Sequence, residues 1–325
     1  MAFPARLIGW TAAHLGAAEG KDPPRSAASS AAPESLIAIV TGVLIDNGTL
    51  LSLNISDNPL CGVYKEVGAD RITGIYNPEG LKGLAEAVTI NMTLTRLNMC
   101  NVITGGAEST ALADAVLKNE TMARYSGIPL HDLRANRLGV LQLRNKSVGQ
   151  TGCIIIARAL RWKGCQLHSI DLSNNNLISN ICPNCGKAQG CHYGGRCFTD
   201  KTKEDRWKID CTSMDLLCEA LTNNTSLTSL KLDENKLGRG EFHNEHVPLL
   251  QQLTDAIATN KSVTLLSVQN NDIAFEGAKV MGSLLLKPGM AVDKHVEKQW
   301  RDADTVKRML TERSFLNTAL RLPRL

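Results

Sequence analysis

Aliphatic residues recur along this chain in one spacing, L-x-x-L-x-L-x-x-N with aliphatic substitutes. Leu50, Leu53, Ile55 and Asn58 fit it, as do Leu167, Ile170, Leu172 and Asn175. Leu227, Leu230, Leu232 and Asn235 make a third copy, and Val263, Leu266, Val268 and Asn271 a fourth. Two copies are weaker. Leu94, Leu97 and Met99 are followed by Val102 where Asn belongs, and Leu138, Leu141 and Leu143 by Lys146. The alternation at the centre of each copy predicts a short strand with one buried face. Between the strands the apolar period changes. Leu81, Leu84, Ala85 and Val88 lie at i, i+3, i+4 and i+7, one face of a helix. Met214, Leu217 and Leu221 repeat that spacing, as do Leu250, Leu253 and Ile257, and Ala278, Met281 and Leu285.

The copies begin at 50, 94, 138, 167, 227 and 263, so their separations are 44, 44, 29, 60 and 36 residues. The bare unit is about 28–29 residues, and the surplus is inserted loop or decayed repeat. One decayed unit is visible: Asn119 to Met122 lies 28 residues after Asn91 to Leu94. A single strand–loop–helix unit cannot bury its apolar face alone, so neighbours must stack. The expectation is one curved parallel sheet with helices outside. The motif asparagines Asn58, Asn175, Asn235 and Asn271 are then scaffold, satisfying backbone groups where the chain leaves the strand.

With these repeats, and with segments such as Glu79 to Val88 (EGLKGLAEAV) and Leu227 to Gly238 (LTSLKLDENKLG), residues 34–288 resemble the leucine-rich repeat family, in its ribonuclease-inhibitor-like class. The resemblance implies an α/β fold, a leucine-rich repeat solenoid with strands on the concave side. It also implies a non-enzymatic recognition or scaffold role toward another protein. The family also holds activators of small GTPases, so a regulator of that kind is an alternative; a structural subunit of a large assembly is another. The domain plan is a disordered or targeting segment at 1–33, the solenoid at 34–290, and a helical cap or tail at 291–325.

Outward positions on the strands define where a partner would sit. They include Asn98, Gln142, Arg144, Asp171, Lys231 and Asp233, a polar and mixed-charge set suited to a protein surface. Arg96 and Arg144 are the arginines among them, the type favoured at interface hot spots. Composition narrows the partner. Lys plus Arg is 36 against 32 for Asp plus Glu, a net +4, too balanced for a dedicated nucleic-acid binder. No apolar run is long enough for a membrane span, and a cytoplasmic protein is expected.

Ten cysteines are present. Four lie in the longest insertion, 179–211, as Cys182, Cys185, Cys191 and Cys197, beginning with a Cys-Pro-Asn-Cys-Gly turn that suits two thiolates on one metal. His192 could replace Cys191. The insertion has almost no aliphatic residues, so something else must order it: structural zinc, two disulfides, or nothing. Four thiolates leave zinc no open position, so such a metal is structural. No phosphate-loop, serine-hydrolase or zinc-protease motif occurs. His243 and His246, three apart, read as a solvated loop, and Cys100 has no evident base beside it. Eight Asn-x-Ser/Thr sequons occur. Those at Asn47, Asn91, Asn224 and Asn260 fall three residues before a strand copy, and so belong to the helix-to-strand turn. Asn there is expected to supply left-handed backbone.

Overall fold

The computed structural model describes residues 8–9, 42, 44–45, 47–65, 72–178, 192–193, 196–197, 210–238, 246–273 and 275–292. Short strands alternate with helices. The strands are β1 (Ile8–Gly9), β2 (Ser52–Asn54), β3 (Val63–Lys65), β4 (Ile72–Gly74), β5 (Arg96–Asn98), β6 (Arg124–Tyr125) and β7 (Val140–Gln142). They continue with β8 (Ser169–Asp171), β9 (His192–Tyr193), β10 (Arg196–Cys197), β11 (Ser229–Lys231), β12 (Leu265–Ser267) and β13 (Ala291–Val292). The helices are α1 (Glu79–Ile90), α2 (Gly106–Lys118), α3 (Leu130–Arg134), α4 (Gly149–Leu160), α5 (Thr212–Asn223), α6 (Val247–Thr259) and α7 (Phe275–Met281). A 3-10 turn at Gly282–Leu286 follows α7.

Every strand copy read from the sequence is a strand, and the central aliphatics are paired. Leu53 stands opposite Leu97, and Leu97 opposite Tyr125, in parallel. Leu141, Ile170, Leu230 and Leu266 form a second such row. All are buried, because side chains alternate across a strand and this row faces the helices. The helices close the core from the other side with the residues that their period marked, among them Leu81, Leu84, Met214, Leu217, Leu250 and Leu253. Successive long helices pack against one another: α1 on α2, α2 on α4, α4 on α5, α5 on α6 and α6 on α7. Helix α4 buries Ile154, Ile155 and Ile156 in succession, which only a helix covered on all sides can do.

The sheet is not continuous. The parallel strands form two sheets, β1-β2-β5-β6 and β7-β8-β11-β12-β13, each in consecutive chain order apart from the two hairpins. The hairpins, β3–β4 and β9–β10, are antiparallel side excursions. The break falls where the repeat is shortest. From Met122 to Leu138 is only 16 residues (138 minus 122), too few for a strand, a full helix and a return. In their place Ser126 (φ 42°) and Gly127 (φ 88°) turn the chain back, pairing Tyr125 with Ile128. The His131 N–H then donates to the Ala123 carbonyl, and the five-residue α3 stands in for a helix.

Each end segment of the sequence-based plan contributes a two-residue strand. Ile8–Gly9 lies beside β2 in parallel, inside the segment read as disordered or targeting. Ala291–Val292, read as the start of a helical cap, extends the second sheet beside β12. Gly289 (φ 73°) makes the turn that admits it. Residues 293–325 lie outside the described residues. Among the described residues no helix is long and apolar enough to cross a membrane.

Candidate partner-binding face

The strands are held by two ladders of asparagine. In the first, the Asn175 amide donates to the Leu143 and Ser173 carbonyls. Its own N–H donates to Asn235 Oδ1 at 2.9 Å, and the Asn235 N–H to Asn271 Oδ1 at 2.8 Å. Asn235 Nδ2 reaches the carbonyls of Leu172, Leu232 and Asp233, each at 3.0 Å. Asn58 caps its own turn through the Ile55 and Ser56 carbonyls. All four are buried. A buried amide with two donors and an acceptor satisfies backbone groups that water cannot reach, which is the scaffold role read from the motif.

The second ladder runs through the sequon asparagines. Asn91 donates to the carbonyls of Leu44 and Asn47, Asn119 to those of Val88 and Asn91, and Asn260 to those of Leu221 and Asn224. Each Oδ1 accepts the backbone N–H groups two and three residues on, as at Thr93 and Leu94. Their backbone is extended, not left-handed: Asn91 has φ −72° and ψ 119°, and Asn260 φ −63° and ψ 134°. Asparagine is used here for its amide, which clamps one helix end to the next strand. The left-handed positions lie instead after the strands, at Asp57, Asn101, Asn145, Asn174, Glu234 and Asn270, with φ between 52° and 60°.

At two places where this ladder lacks its asparagine, a cation takes over. Asn119 would be followed by an amide on Val116 and Asn119, but Ala135 occupies that place. The Arg134 guanidinium donates to those two carbonyls, at 2.9 and 3.0 Å, and also to Leu117 and Met122. Lys287 does likewise past the last asparagine, donating to Ile257 at 2.7 Å and Val263 at 2.9 Å. Burial lowers the pKa of both groups. The signal in the sequence was a basic residue beside the empty Asn position.

With the backbone satisfied internally, the outward strand positions are what remains. Gln142, Arg144 and Lys231 are exposed, and Asn98 is half-buried with its Oδ1 on the Cys100 N–H. Arg144 is ion-paired with Glu234. Asp171 and Asp233 do not present their charge. Asp171 is 6% exposed and accepts the Ser173 N–H at 3.0 Å. Asp233, also 6% exposed, accepts the Ser267 hydroxyl at 2.6 Å and the Gln269 N–H at 2.8 Å. These two carboxylates therefore organise the sheet rather than greet a partner. Sequence spacing gave them the outward side of the strand. It did not show that a neighbouring strand would fold a hydroxyl and an amide over Asp233, or that Asp171 would turn back onto the Ser173 N–H.

The chemistry of the described thiols is that of core residues. Burial first of all pushes the Cys61, Cys153, Cys211 and Cys218 thiols up to about 12. Cys100 is raised by burial and by Asp57, against a smaller opposing effect of Lys146, so it is held as a thiol. Cys182, Cys185 and Cys191 lie outside the described residues. Cys197 lies in β10, its side chain undescribed. His243 is likewise outside, while His246 is a buried residue at the N-terminus of α6. Insertion 179–211 leaves and rejoins the fold at a fixed place. The Ser213 hydroxyl donates to the Leu177 carbonyl, and Asp210 accepts from the Gly106 N–H and from Thr212. No protein-family model matches the chain, and no curated protein matches it.

Proposed function

We propose that this chain is a leucine-rich repeat solenoid of the ribonuclease-inhibitor-like class. In this reading it is a non-enzymatic recognition or scaffold module that holds another protein on its strand face. The observation carrying the proposal is the in-register stacking of strands whose inward residues and motif asparagines are fully engaged. Gln142 and Lys231 stay exposed on either side of Asp171, and Arg144 stays exposed two residues beyond Gln142. Short parallel strands lay outward side chains in rows on a fixed backbone, so binding orders side chains but not the chain itself. Rim charges of this kind steer and select a protein partner.

The test is affinity capture from native-source extract with three forms of the protein. The second carries Gln142→Ala, Arg144→Ala and Lys231→Ala, and the third Lys118→Ala, Lys163→Ala and Lys279→Ala at exposed positions away from the strands. A partner lost from the strand-face variant and kept by the other supports the reading. A partner kept by the strand-face variant removes it.

A further inference from the structure

We infer that the strand face takes an acidic polypeptide segment, anchored by Arg96 and Arg124 at the break between the two sheets. This deepens the protein-recognition reading above and rests on it. Arg96 and Arg124 stand directly opposite each other in the parallel pairing of β5 and β6. Both are exposed. Adjacent strands are about 4.8 Å apart, so two like charges sit side by side, an arrangement that is unfavourable on its own. Among the described residues neither guanidinium has an ion-pair or hydrogen-bond partner.

Lys146 adds positive charge beside this pair. The Lys146 stem lies against Gly127 in the turn that follows β6: a Cβ there would stand 3.8 Å from Lys146 Cγ. Exposed His131 begins the segment bonded back to Ala123, next to Arg124. Of the acids on the strands and the turns after them, Glu234 holds Arg144, Asp171 and Asp233 are buried in backbone and hydroxyl bonds, and Asp57 accepts the Asn101 amide at 2.8 Å, five residues beyond Ser52, the residue opposite Arg96. What is left open is a pair of planar forks that each match a carboxylate with two parallel N–H bonds. A single-stranded nucleic acid would want exposed aromatic rings for stacking, and Tyr125, the aromatic residue of β6, is 1% exposed in the core.

The experiment uses the full chain and a fluorescein-labelled peptide of about ten alternating Glu and Ser residues at low salt, where such contacts are strongest. A Lys–Ser peptide and a single-stranded RNA of similar length run beside it. The acidic peptide is expected to bind, to weaken with salt, and to lose about tenfold in affinity in the Arg96→Ser, Arg124→Ser variant. Replacing both by Lys keeps the charge but not the fork and is expected to lose about threefold. The Ser variant should melt no lower than wild type, since a like-charge pair has been relieved. Unchanged peptide binding in the Ser variant overturns the inference, as does RNA binding that exceeds peptide binding and falls in that variant. Absence of acidic-peptide binding up to roughly 100 µM overturns it too. The recognition reading is scored separately, by capture with the Gln142, Arg144 and Lys231 variant, so either can fail alone.

Discussion

Replacing Arg134 is the sharpest test of how the repeats are joined across the shortened unit. Its guanidinium donates to the carbonyls of Val116, Leu117, Asn119 and Met122, the first two of them in the last turn of α2. A charged hydrogen bond contributes about 1.5–3 kcal/mol net, and a cation at a helix C-terminus about 0.3–1 kcal/mol. The group is half-buried and one nitrogen serves three acceptors, so the four contacts amount to fewer than four full bonds. Arg134→Met keeps the stem and removes the donors, and a loss of about 3 kcal/mol follows. Arg134→Lys, with one compact ammonium, should lose about half of that. The assay is urea unfolding followed by circular dichroism, with hydrogen exchange at the α2 C-terminus to localise the change. Arg137→Met, at an exposed position, is the control and should stay within about 0.5 kcal/mol of wild type. If Arg134→Met matches that control, water satisfies those carbonyls, and the idea that arginine stands in for asparagine is wrong.

Three further outcomes follow from the asparagine ladder of the strands and from the insertion. Asn235→Ala should cost about 3 kcal/mol, because it strands the Asn175 N–H and the Leu172 carbonyl and takes one donor from the Leu232 and Asp233 carbonyls, which keep Asn271 and Asn174. Asn235→Asp should cost more at neutral pH, since a carboxylate would face those carbonyls, and thermal melts should show the deficit shrinking as acid protonates it. The sign follows from its surroundings: neighbouring carbonyls and burial raise the folded-state pKa of the new carboxyl, so instability is present above that pKa and relieved below it. For the insertion, elemental analysis of purified protein should find about one zinc per chain, lost on changing Cys182 and Cys185 to Ser. Less than about a tenth of an equivalent would contradict a zinc site.

How much was legible beforehand varies by element. The strands around Leu53, Leu97, Leu141, Ile170, Leu230 and Leu266, and the buried faces of α1, α5 and α6, follow from spacing alone. Even the decayed unit at Met122 has its strand, 28 residues after the strand that it pairs with. The candidate face was half legible. Gln142, Arg144 and Lys231 are outward and exposed, whereas Asp171 and Asp233 are outward and buried.

Periodicity along the chain determined which residues face the core and in what order the elements stack. That follows because a strand alternates every two residues and a helix turns every 3.6, so inward and outward sides are local properties. Only the tertiary structure decided where the sheet breaks, that Arg134 and Lys287 finish an asparagine ladder, and that Arg96 and Arg124 stand side by side with no ion-pair partner among the described residues. Those outcomes depend on which carbonyl, hydroxyl or charge a neighbouring repeat brings within hydrogen-bond reach. In the case of Asp233 and Ser267 that neighbour is 34 residues away along the chain.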